Sequence, residues 1–432
     1  MNAPDGARDL IHPRDALMQT MQRIYRYRMT TTSGGNLSLR DVHGDIWITP
    51  ARVDKGNLRR EDMVRVDGDG VAHGPHPPSS EYPFHKAVYD ARPDLGAIVH
   101  AHPVALVAFS ITKRVPDTRL FAKSWATCGE PGFAPYRLPG SAALGQVIAQ
   151  TFARGHDAVV LENHGVVVGG RTLAEAFARF ETFEFTAKTL VKAGHLGPVT
   201  TLTDDQIALR RDRPPPPPEF TPGPADVAEK DARQRVVDFC RRGYRQRLLI
   251  STEGSFSARL GPDRFVITPS NVDRLTLSVH DPVLIDAGRA EAGKTPSRAT
   301  RLHAAIYAAH PEVHAVINAY CVNATAFSVG RTPLDSRTIP ESYVFLREVQ
   351  RVSYEDATTD PDAVARTVGP TRPVALIEND GVLACGKDVL AAFDCLEVLE
   401  STAEAVINSR PLGDVLPMGD GPIRELEEAF FG

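Results

Sequence analysis

The segment Ala97–Pro103, AIVHAHP, carries two histidines within an apolar run. Because alternate residues of a β-strand point to the same face, His100 and His102 are predicted to lie side by side, as two ligands of a bound metal would. The chain repeats this segment 218 residues later, where HAVINAY has Asn318 and Tyr320 in the two histidine positions. Comparing the two copies therefore separates residues of the shared scaffold from residues that carry chemistry in one copy alone.

The repetition extends over most of the chain. Thr32–Arg40 (TSGGNLSLR) corresponds to Ser251–Arg259 (STEGSFSAR), and Pro78–Tyr89 (PSSEYPFHKAVY) corresponds to Pro296–Tyr307 (PSRATRLHAAIY). The order of the matching segments is the same in both copies, and their displacement stays between 216 and 219 residues. Such a constant displacement predicts two copies of one domain rather than a short-period solenoid.

A proline-rich stretch marks the boundary between the copies. Residues 210–224, RRDRPPPPPEFTPGP, include five consecutive prolines, which adopt extended polyproline II and cannot continue a helix or a central strand. The predicted organisation is a domain at 1–209, a linker at 210–225 and a second domain at 226–432.

Hydrophobic periodicity predicts the main elements around these motifs. Helices are expected at 12–30, 78–93, 173–193 and 227–242. Either Ser79 or Ser80 is expected to cap the second of these helices. Strands are expected at the AIVHAHP segment and on both sides of His164, which would lie at the tip of a turn.

The composition is that of a soluble globular protein, with 42% hydrophobic and 24% charged residues. A net charge of −5 gives no electrostatic reason to expect nucleic acid or an anionic membrane as a partner. The five cysteines are scattered without C-x-x-C spacing, which favours a reducing compartment. The chain has no long apolar run and no secretory leader pattern, so the protein is expected to be cytoplasmic.

Four polar residues of the first copy are all replaced in the second: His100 by Asn318, His102 by Tyr320, His164 by Asp380 and Glu81 by Ala299. Residues that are lost together are predicted to have acted together. Three histidines with an open fourth position are typical of a catalytic metal site. A carboxylate beside the metal can transfer protons, so Glu81 is the predicted acid/base partner. His85 is retained as His303, which favours a packing or capping role for it.

These motifs carry a family resemblance that covers nearly the whole chain. Both halves resemble the class II aldolase/adducin family, whose GN, SSE, H-x-H and ENHG motifs stand in the first half at Gly35–Asn36, Ser79–Glu81, His100–His102 and Glu162–Gly165. The resemblance implies two tandem α/β/α domains, each with a mostly antiparallel central sheet between helices. It also implies a divalent metal on the three histidines, usually zinc, with manganese, cobalt and iron left open.

Enzymes of this family cleave or rearrange ketose phosphates, and the resemblance implies such a reaction here. The first half is predicted to be an aldolase-type lyase that breaks or forms a C–C bond in a small ketose phosphate or hydroxy-keto compound. A metal-stabilised enediolate would be the intermediate, with Glu81 moving the proton. A dehydratase, epimerase, decarboxylase or oxygenase on the same fold stays open. So does a metal-free interaction module of the adducin kind, which is the role expected of the second half.

The resemblance further implies a phosphate site, whose candidate residues are Gly35, Asn36, Thr49, Arg52, Ser79 and Ser80. Family aldolases carry a hydroxyl-bearing residue and a glycine after the ITP motif, whereas this chain has Ala51 and Arg52 there. An arginine can hold a phosphate or a carboxylate through its planar fork. The small-molecule substrate is therefore expected to be phosphorylated or carboxylated.

Family enzymes also form rings of four, in which a tyrosine from the neighbouring subunit reaches into the active site. The segment that carries this tyrosine is matched by Pro135–Leu144, which places it at Tyr136, with Tyr354 as the counterpart in the second copy. If the halves alternate around a pseudo-fourfold ring, Tyr354 is predicted to complete the metal-containing site. Such a ring needs two chains, so a homodimer is expected.

Overall fold

The computed structural model describes residues 10–210 and 215–431. Contacts divide the chain into two compact units. The first contains the residues up to Thr118 and Ser124–Ala187, and the second contains Arg119–Lys123 and the residues from Lys188 onward. Residues 211–214 of the predicted linker lie outside the described residues, and the domain limits at 209 and 226 stay a prediction.

The part of the chain that ends at Gly194 contains the metal-ligand motifs. Its helices and strands, in order, are α1 Pro13–Arg26, β1 Asn36–Arg40, β2 Ile46–Ile48, β3 Val64–Val66, β4 Ala72–His73, α2 Tyr82–Ala91, β5 Ala97–Ala101, α3 Val104–Ile111, α4 Ala122–Cys128, β6 Gly132–Ala134, α5 Ala142–Ala153, β7 Ala158–Leu161, β8 Val166–Gly170 and α6 Leu173–Gly194. The helices predicted at 12–30, 78–93 and 173–193 are present as α1, α2 and α6.

The rest of the described chain has a similar series of strands and helices. Its elements, in order, are α7 Asp204–Leu209, β9 Glu219–Phe220, α8 Val227–Arg245, β10 Ser255–Gly261, β11 Arg264–Ile267, β12 Val283–Asp286, β13 Arg289–Glu291, α9 Thr300–Ala309, β14 Ala315–Ala319, α10 Val322–Ser328, α11 Pro340–Leu346, β15 Gln350–Val352, α12 Tyr354–Thr359, α13 Pro361–Thr367, β16 Val374–Ile377, β17 Gly381–Gly386, α14 Val389–Ser409 and α15 Asp420–Phe431. Relative to the first series, α7, β9 and α15 are added, and two short helices, α12 and α13, stand in the place of α5. The helix predicted at 227–242 is α8.

The first unit is built on a sheet with the strand order β4-β3-β2-β1-β5-β8-β7-β6. Neighbouring strands are antiparallel except β6 and β7, which are parallel. Strand β5 lies between β1 and β8, and all its residues are buried. A strand that is apolar on both faces needs cover on both sides of the sheet.

Helices supply that cover and decide where the histidines point. Helices α1 and α6 pack on one face of the sheet with Ala97 and Val99 of β5, and α2 and α5 pack on the other face with Ile98. Because side chains alternate along a strand, His100 shares the face of Ile98, and its ring meets that of Phe84 in α2 edge-on, with centroids 5.4 Å apart. The predicted three-layer α/β/α arrangement is confirmed.

The second unit repeats this sheet with the order β15-β16-β17-β14-β10-β11-β12-β13-β9. Only the pairs β15–β16 and β13–β9 are parallel among its described strands. The register also repeats, since Asn36 pairs with His100 in the first sheet and Ser255 pairs with Asn318 in the second. The mostly antiparallel sheet expected of each copy is therefore present, with counterpart residues at the same positions of the ladder.

The start of α2 differs from the prediction. Glu81 is the N-cap residue and its side chain makes no capping bond, while the Ser79 hydroxyl accepts a bond from the Glu81 N–H at 3.3 Å. Neither Ser79 nor Ser80 caps the helix, so that prediction is wrong. The reason is that residue 81 itself occupies the cap, where the helix dipole favours a negative charge.

All five cysteines are buried with free thiols, so they form no disulfide framework, as predicted. Among residues 10–210 and 215–431, no helix has the length and apolarity that crossing a membrane requires.

Candidate metal centre

The three histidines meet at one end of β5. His100 lies in the strand, His102 follows its end, and His164 lies in the turn between β7 and β8. One ligand nitrogen from each lies within 4.8 Å of the others, and the Nε2 atoms of His100 and His102 are 3.1 Å apart. Within the described residues, no other group of His, Cys, Asp and Glu side chains converges in this way. The structure thus brings together the three residues that the comparison of the copies singled out.

Neighbouring backbone orients the cluster. The Nδ1–H of His100 donates to the carbonyl oxygen of Val166 at 2.9 Å, which fixes the tautomer and turns Nε2 towards the other histidines. Gly165, next to His164, packs against the ring of His102, because an added Cβ would lie 2.5 Å from its Cδ2 atom. The glycine of ENHG therefore allows the turn to approach the H-x-H segment.

Glu81 lies against this cluster. Its Oε2 is 3.1 Å from Nε2 of His100 and accepts a hydrogen bond from Nδ2 of Asn36 at 2.8 Å. Its Oε1 is 3.5 Å from Nε2 of His164 and is buried without a hydrogen-bond partner. One carboxylate oxygen is thus held by neighbours, and the other faces the centre.

The protonation states follow from burial and from these contacts. Burial alone would raise the pKa of Glu81, but the charge and hydrogen bond of His100 and the bond from Asn36 hold that pKa well below its usual range. Burial opposes a charge on His100 too, yet the Glu81 carboxylate raises the pKa of His100. Burial and the nearby His100 lower the pKa of His102 to about 3 and that of His164 to about 4. At neutral pH the cluster therefore offers an ionised Glu81 carboxylate and neutral imidazoles on His102 and His164, and His100 would give up its Nε2 proton to a bound metal.

These residues fit a divalent metal. Neutral imidazoles are good ligands for zinc and other first-row metals, and three protein ligands leave a position for substrate. A buried carboxylate oxygen without a partner is costly in free energy, so Oε1 of Glu81 is expected to interact with a group that enters the centre.

Two predicted substrate-binding residues accept hydrogen bonds from backbone N–H groups through their side chains. The buried hydroxyls of Thr49 and Ser79 accept bonds from the N–H groups of Leu37, at 3.1 Å, and Glu81, at 3.3 Å. Their counterparts in the second unit make the same two bonds. Since that unit lacks the histidine cluster, these bonds serve the scaffold, and substrate contact by these residues stays a prediction.

The other candidates lie closer to the centre or on the surface. Asn36 contacts Glu81 directly, and Gly35 has a φ of +72° where an added Cβ would lie 2.8 Å from the carbonyl oxygen of His100. Ser80 is exposed, as is Arg52, whose φ is +56°. Both side chains are accessible to a ligand.

The two tyrosines lie in different surroundings. Tyr136 is 51% exposed. Its backbone N–H donates to Oε2 of Glu162 at 2.9 Å, and Glu162 precedes His164 by two residues. Tyr354 is 5% exposed, and burial raises the pKa of its hydroxyl. Its role at the first-unit site stays a prediction.

The second-unit counterpart of the metal centre is filled by side chains. The Tyr320 hydroxyl donates to Oδ1 of Asp380 at 3.1 Å, so two former ligand positions bond to each other. In the first unit, a Cβ added to Gly34 would lie 2.9 Å from Nδ1 of His102, so a side chain at this position would press against the ring of His102. Glu253 stands at the corresponding position of the second unit.

Glu253 is a buried carboxylate within the second unit that pairs with the half-buried Lys123 and the exposed Arg298. Its Oε1 is 2.6 Å from Nζ of Lys123, and its Oε2 is 3.4 Å from the Arg298 guanidinium. Burial by itself raises the pKa of Glu253, but the cations, Lys123 first, lower it to about 2. Sequence reasoning missed this residue, although the alignment of STEGS with TSGGN shows a carboxylate opposite a glycine.

The substitution Glu253→Gln is expected to lower the free energy of unfolding by about 3–5 kcal/mol at neutral pH, because it leaves the half-buried Lys123 without its carboxylate. The folded-state pKa of Glu253 lies below its ordinary value of 4.5, so its stabilising contribution is complete above that pH and is lost as the pH falls towards 2. The difference between wild type and variant should shrink over this range. Urea unfolding at several pH values measures it, and a difference that stays constant would contradict the ion-pair assignment.

Comparison with known proteins gives the family. The model of the class II aldolase and adducin N-terminal domain matches twice, at residues 15–191 and 234–407. The L-fuculose phosphate aldolase of Methanocaldococcus jannaschii is 33% identical over 174 residues, which cover 39% of this chain and 89% of that protein. The 5-methylthioribulose-1-phosphate/5-deoxyribulose-1-phosphate aldolase of Rhodospirillum rubrum is 32% identical over 164 residues, which cover 38% of this chain and 73% of that protein.

A third relative has a different named reaction. The 3-oxo-tetronate 4-phosphate decarboxylase of Pectobacterium atrosepticum is 35% identical over 183 residues, which cover 41% of this chain and 83% of that protein. The relatives agree on the family and differ in the bond that they break. With the family model matched in both halves, the chain belongs to the class II aldolase and adducin family.

Proposed function

We propose that the first unit is a metal-dependent lyase of the aldolase type, which breaks or forms a C–C bond in a small phosphorylated ketose or a related hydroxy-keto compound. The observation that carries the proposal is the Glu81 carboxylate, whose unpartnered oxygen faces three converging histidines. Two relatives named as sugar-phosphate aldolases support this reaction and a phosphorylated substrate.

His100, His102 and His164 would hold the metal, and we propose zinc because three imidazoles with an open position suit it. A bound divalent ion supplies Lewis acidity, which polarises a carbonyl and stabilises the negative charge that develops on its oxygen. The bond from His100 to the Val166 carbonyl keeps the ligating nitrogen directed at the centre.

Glu81 moves the proton. In the direction of C–C bond formation, its carboxylate takes a proton from the carbon next to the ketone, and the C–H electron pair forms an enediolate. The enediolate carbon attacks the aldehyde carbon, and the resulting alkoxide takes up the proton that Glu81 received, which returns the carboxylate to its ionised form. In cleavage these steps run in reverse, and Glu81 returns the proton to carbon. The bond from Asn36 holds the carboxylate in place for this transfer.

Decarboxylation is the second candidate, and the relative named as a 3-oxo-tetronate 4-phosphate decarboxylase is the observation that favours it. A 3-oxo acid that loses carbon dioxide leaves its electron pair on the same type of carbon as retro-aldol cleavage does. Glu81 would then pass a proton taken up from solvent to that carbon. The two candidates share the proton-transfer step and differ in the leaving group.

Exposed residues near the motifs are proposed to hold the anionic end of the substrate. Arg52 can form two parallel hydrogen bonds with a phosphate or carboxylate, and Ser80 can donate one. Both side chains are exposed, whereas the hydroxyls of Thr49 and Ser79 already accept backbone bonds.

The second unit is proposed to be non-catalytic, because Asn318, Tyr320 and Asp380 replace the three histidines. A homodimer is proposed from the family resemblance, with Tyr354 completing the first-unit site. A monomeric mass in light scattering would contradict the dimer. A Tyr354→Phe protein with wild-type turnover, beside an impaired Tyr136→Phe protein, would contradict the tyrosine assignment.

The zinc-loaded protein is to be incubated with a panel of two compound classes, ketose 1-phosphates and 3-oxo acid phosphates. It is expected to turn over members of one of these classes. Release of an aldehyde identifies the aldolase, and release of carbon dioxide identifies the decarboxylase. Removal of zinc with a chelator should abolish turnover, because no Lewis acid then polarises the substrate carbonyl. Adding zinc back should restore turnover. Turnover that is equal in the zinc-free protein would contradict the proposal.

A further inference from the structure

A continuous row of hydrogen bonds runs from the core to Glu81. The hydroxyls of Tyr89 and Ser38 are 2.8 Å apart, Ser38 Oγ is 2.7 Å from Nδ1 of His85, and Nε2 of His85 is 2.5 Å from Oδ1 of Asn36. Asn36 then donates to Oε2 of Glu81 at 2.8 Å. The row therefore leads from a fully buried tyrosine to the proposed proton-transfer group.

The row is built from two regular periodicities. His85 and Tyr89 are four residues apart on α2, so they lie on one face of the helix. Asn36 and Ser38 are two residues apart on β1, so they lie on one face of the strand. The helix and the strand thus contribute alternate members of the row. The packing of α2 against β1 therefore sets the distances between these members.

The donor and the acceptor of each hydrogen bond in the row follow from the carboxylate at its end. A carboxylate only accepts, so the Asn36 amide nitrogen donates to Glu81 and the Asn36 oxygen accepts from His85. His85 therefore carries its proton on Nε2, and its Nδ1 accepts from Ser38. Burial lowers the pKa of His85 to about 3, which agrees with a neutral ring. Each group donates towards Glu81.

The second unit contains the counterparts of the first three members of this row. Tyr307 and Ser257 hydroxyls are 2.6 Å apart, Ser257 Oγ is 2.7 Å from Nδ1 of His303, and Nε2 of His303 is 2.7 Å from Oδ1 of Asn318. There the row ends at Asn318, which stands at the position of His100. It is a scaffold in that unit, because the counterpart of Glu81 is an alanine.

We propose that His85 is a positioning residue for Glu81 in the first unit. Through Asn36 it holds one carboxylate oxygen in a fixed bond, so that the other oxygen points at the histidine cluster. This inference rests on the proposed function, because Glu81 is the group that it positions. It assigns to His85 a task beyond the packing role that its retention in both copies indicates.

The test compares His85→Leu with His303→Leu. The second variant removes the corresponding histidine from the row of the second unit, which does not end at a carboxylate. Both variants should lose similar stability, since each breaks two buried hydrogen bonds. Only His85→Leu is expected to lower kcat, by about 10- to 100-fold, with little change in KM and with zinc retained. His85→Gln, whose amide can still donate to Asn36, should recover most of the rate. An equal loss of kcat in His303→Leu, or no recovery in His85→Gln, would overturn the proposal.

A structural readout separates this proposal from the proposed function. In crystal structures of the zinc-loaded variants, the Glu81 carboxylate should be displaced in His85→Leu and unchanged in His303→Leu. An unmoved Glu81 in His85→Leu would overturn the positioning role even if no substrate were turned over. If His85→Leu does not fold, Ser38→Ala allows the same comparison, because it removes the donor to Nδ1 of His85, and Ser257→Ala is its control in the second unit. A wild-type position of Glu81 and a wild-type kcat in Ser38→Ala would equally overturn the proposal.

Discussion

Glu81→Gln is expected to lower kcat by about 100- to 10,000-fold while the protein keeps its metal. Glutamine has nearly the same shape as glutamate, so it can still accept the bond from Asn36 through its amide oxygen. It cannot take a proton from carbon, because the amide is not basic. The loss should therefore appear in the rate of proton transfer rather than in folding or metal content.

Turnover of the first active substrate, together with metal analysis of the purified protein, measures this effect. Asp380→Asn is a matched control, since it neutralises a half-buried carboxyl group of the second unit and should leave kcat unchanged. Exchange of the substrate carbon-bound proton with deuterium from solvent gives a second readout of the same step. Near-normal exchange in Glu81→Gln would show that another group moves the proton.

His100→Ala is expected to remove the metal, reducing the content from about one divalent ion per chain to almost none. His100 is the most constrained of the three histidines, because it is fully buried and its other nitrogen is bonded to Val166. Its loss also leaves Oε2 of the buried Glu81 without the ring nitrogen of His100 that lies 3.1 Å away. Turnover should vanish together with the metal.

Metal analysis after dialysis against zinc checks this result, and Asn318→Ala supplies the matched control. That variant changes the counterpart position in the second unit and should keep the wild-type metal content. Two ions per chain in the wild-type protein would contradict the assignment of a single centre. Retention of metal by His100→Ala would show that the other histidines bind without it.

Much of the fold and of the metal centre could be predicted because the chain contains its own comparison. The strand periodicity placed His100 and His102 together, and the paired segments identified His164 as a residue lost along with them. The register supports this reading, since Asn36–His100 and Ser255–Asn318 occupy the same ladder position. Repeated apolar patterns predicted the helices because core burial imposes the same period in both copies.

The roles of individual polar groups were harder to predict, because they depend on which atoms meet. The hydroxyl of Thr49 resembles a substrate contact in sequence, yet it accepts the backbone N–H of Leu37. His85 resembles a packing residue, yet its two nitrogens link Ser38 to Asn36. Residue type and spacing do not specify such partners. They follow only once helix α2 and strand β1 are placed against each other.

The side chain of Glu253 is expected to hinder the return of a histidine cluster to the second unit. Restoring histidines at positions 318, 320 and 380 would leave a carboxylate at the position corresponding to Gly34, held by Lys123 and Arg298. Each of those reversions taken alone would gain no metal, and selection could not favour the intermediates. Removing Glu253 first would leave Lys123, whose side chain is 19% exposed, without its carboxylate. As long as this ion pair is kept, the second unit is expected to stay without a histidine cluster.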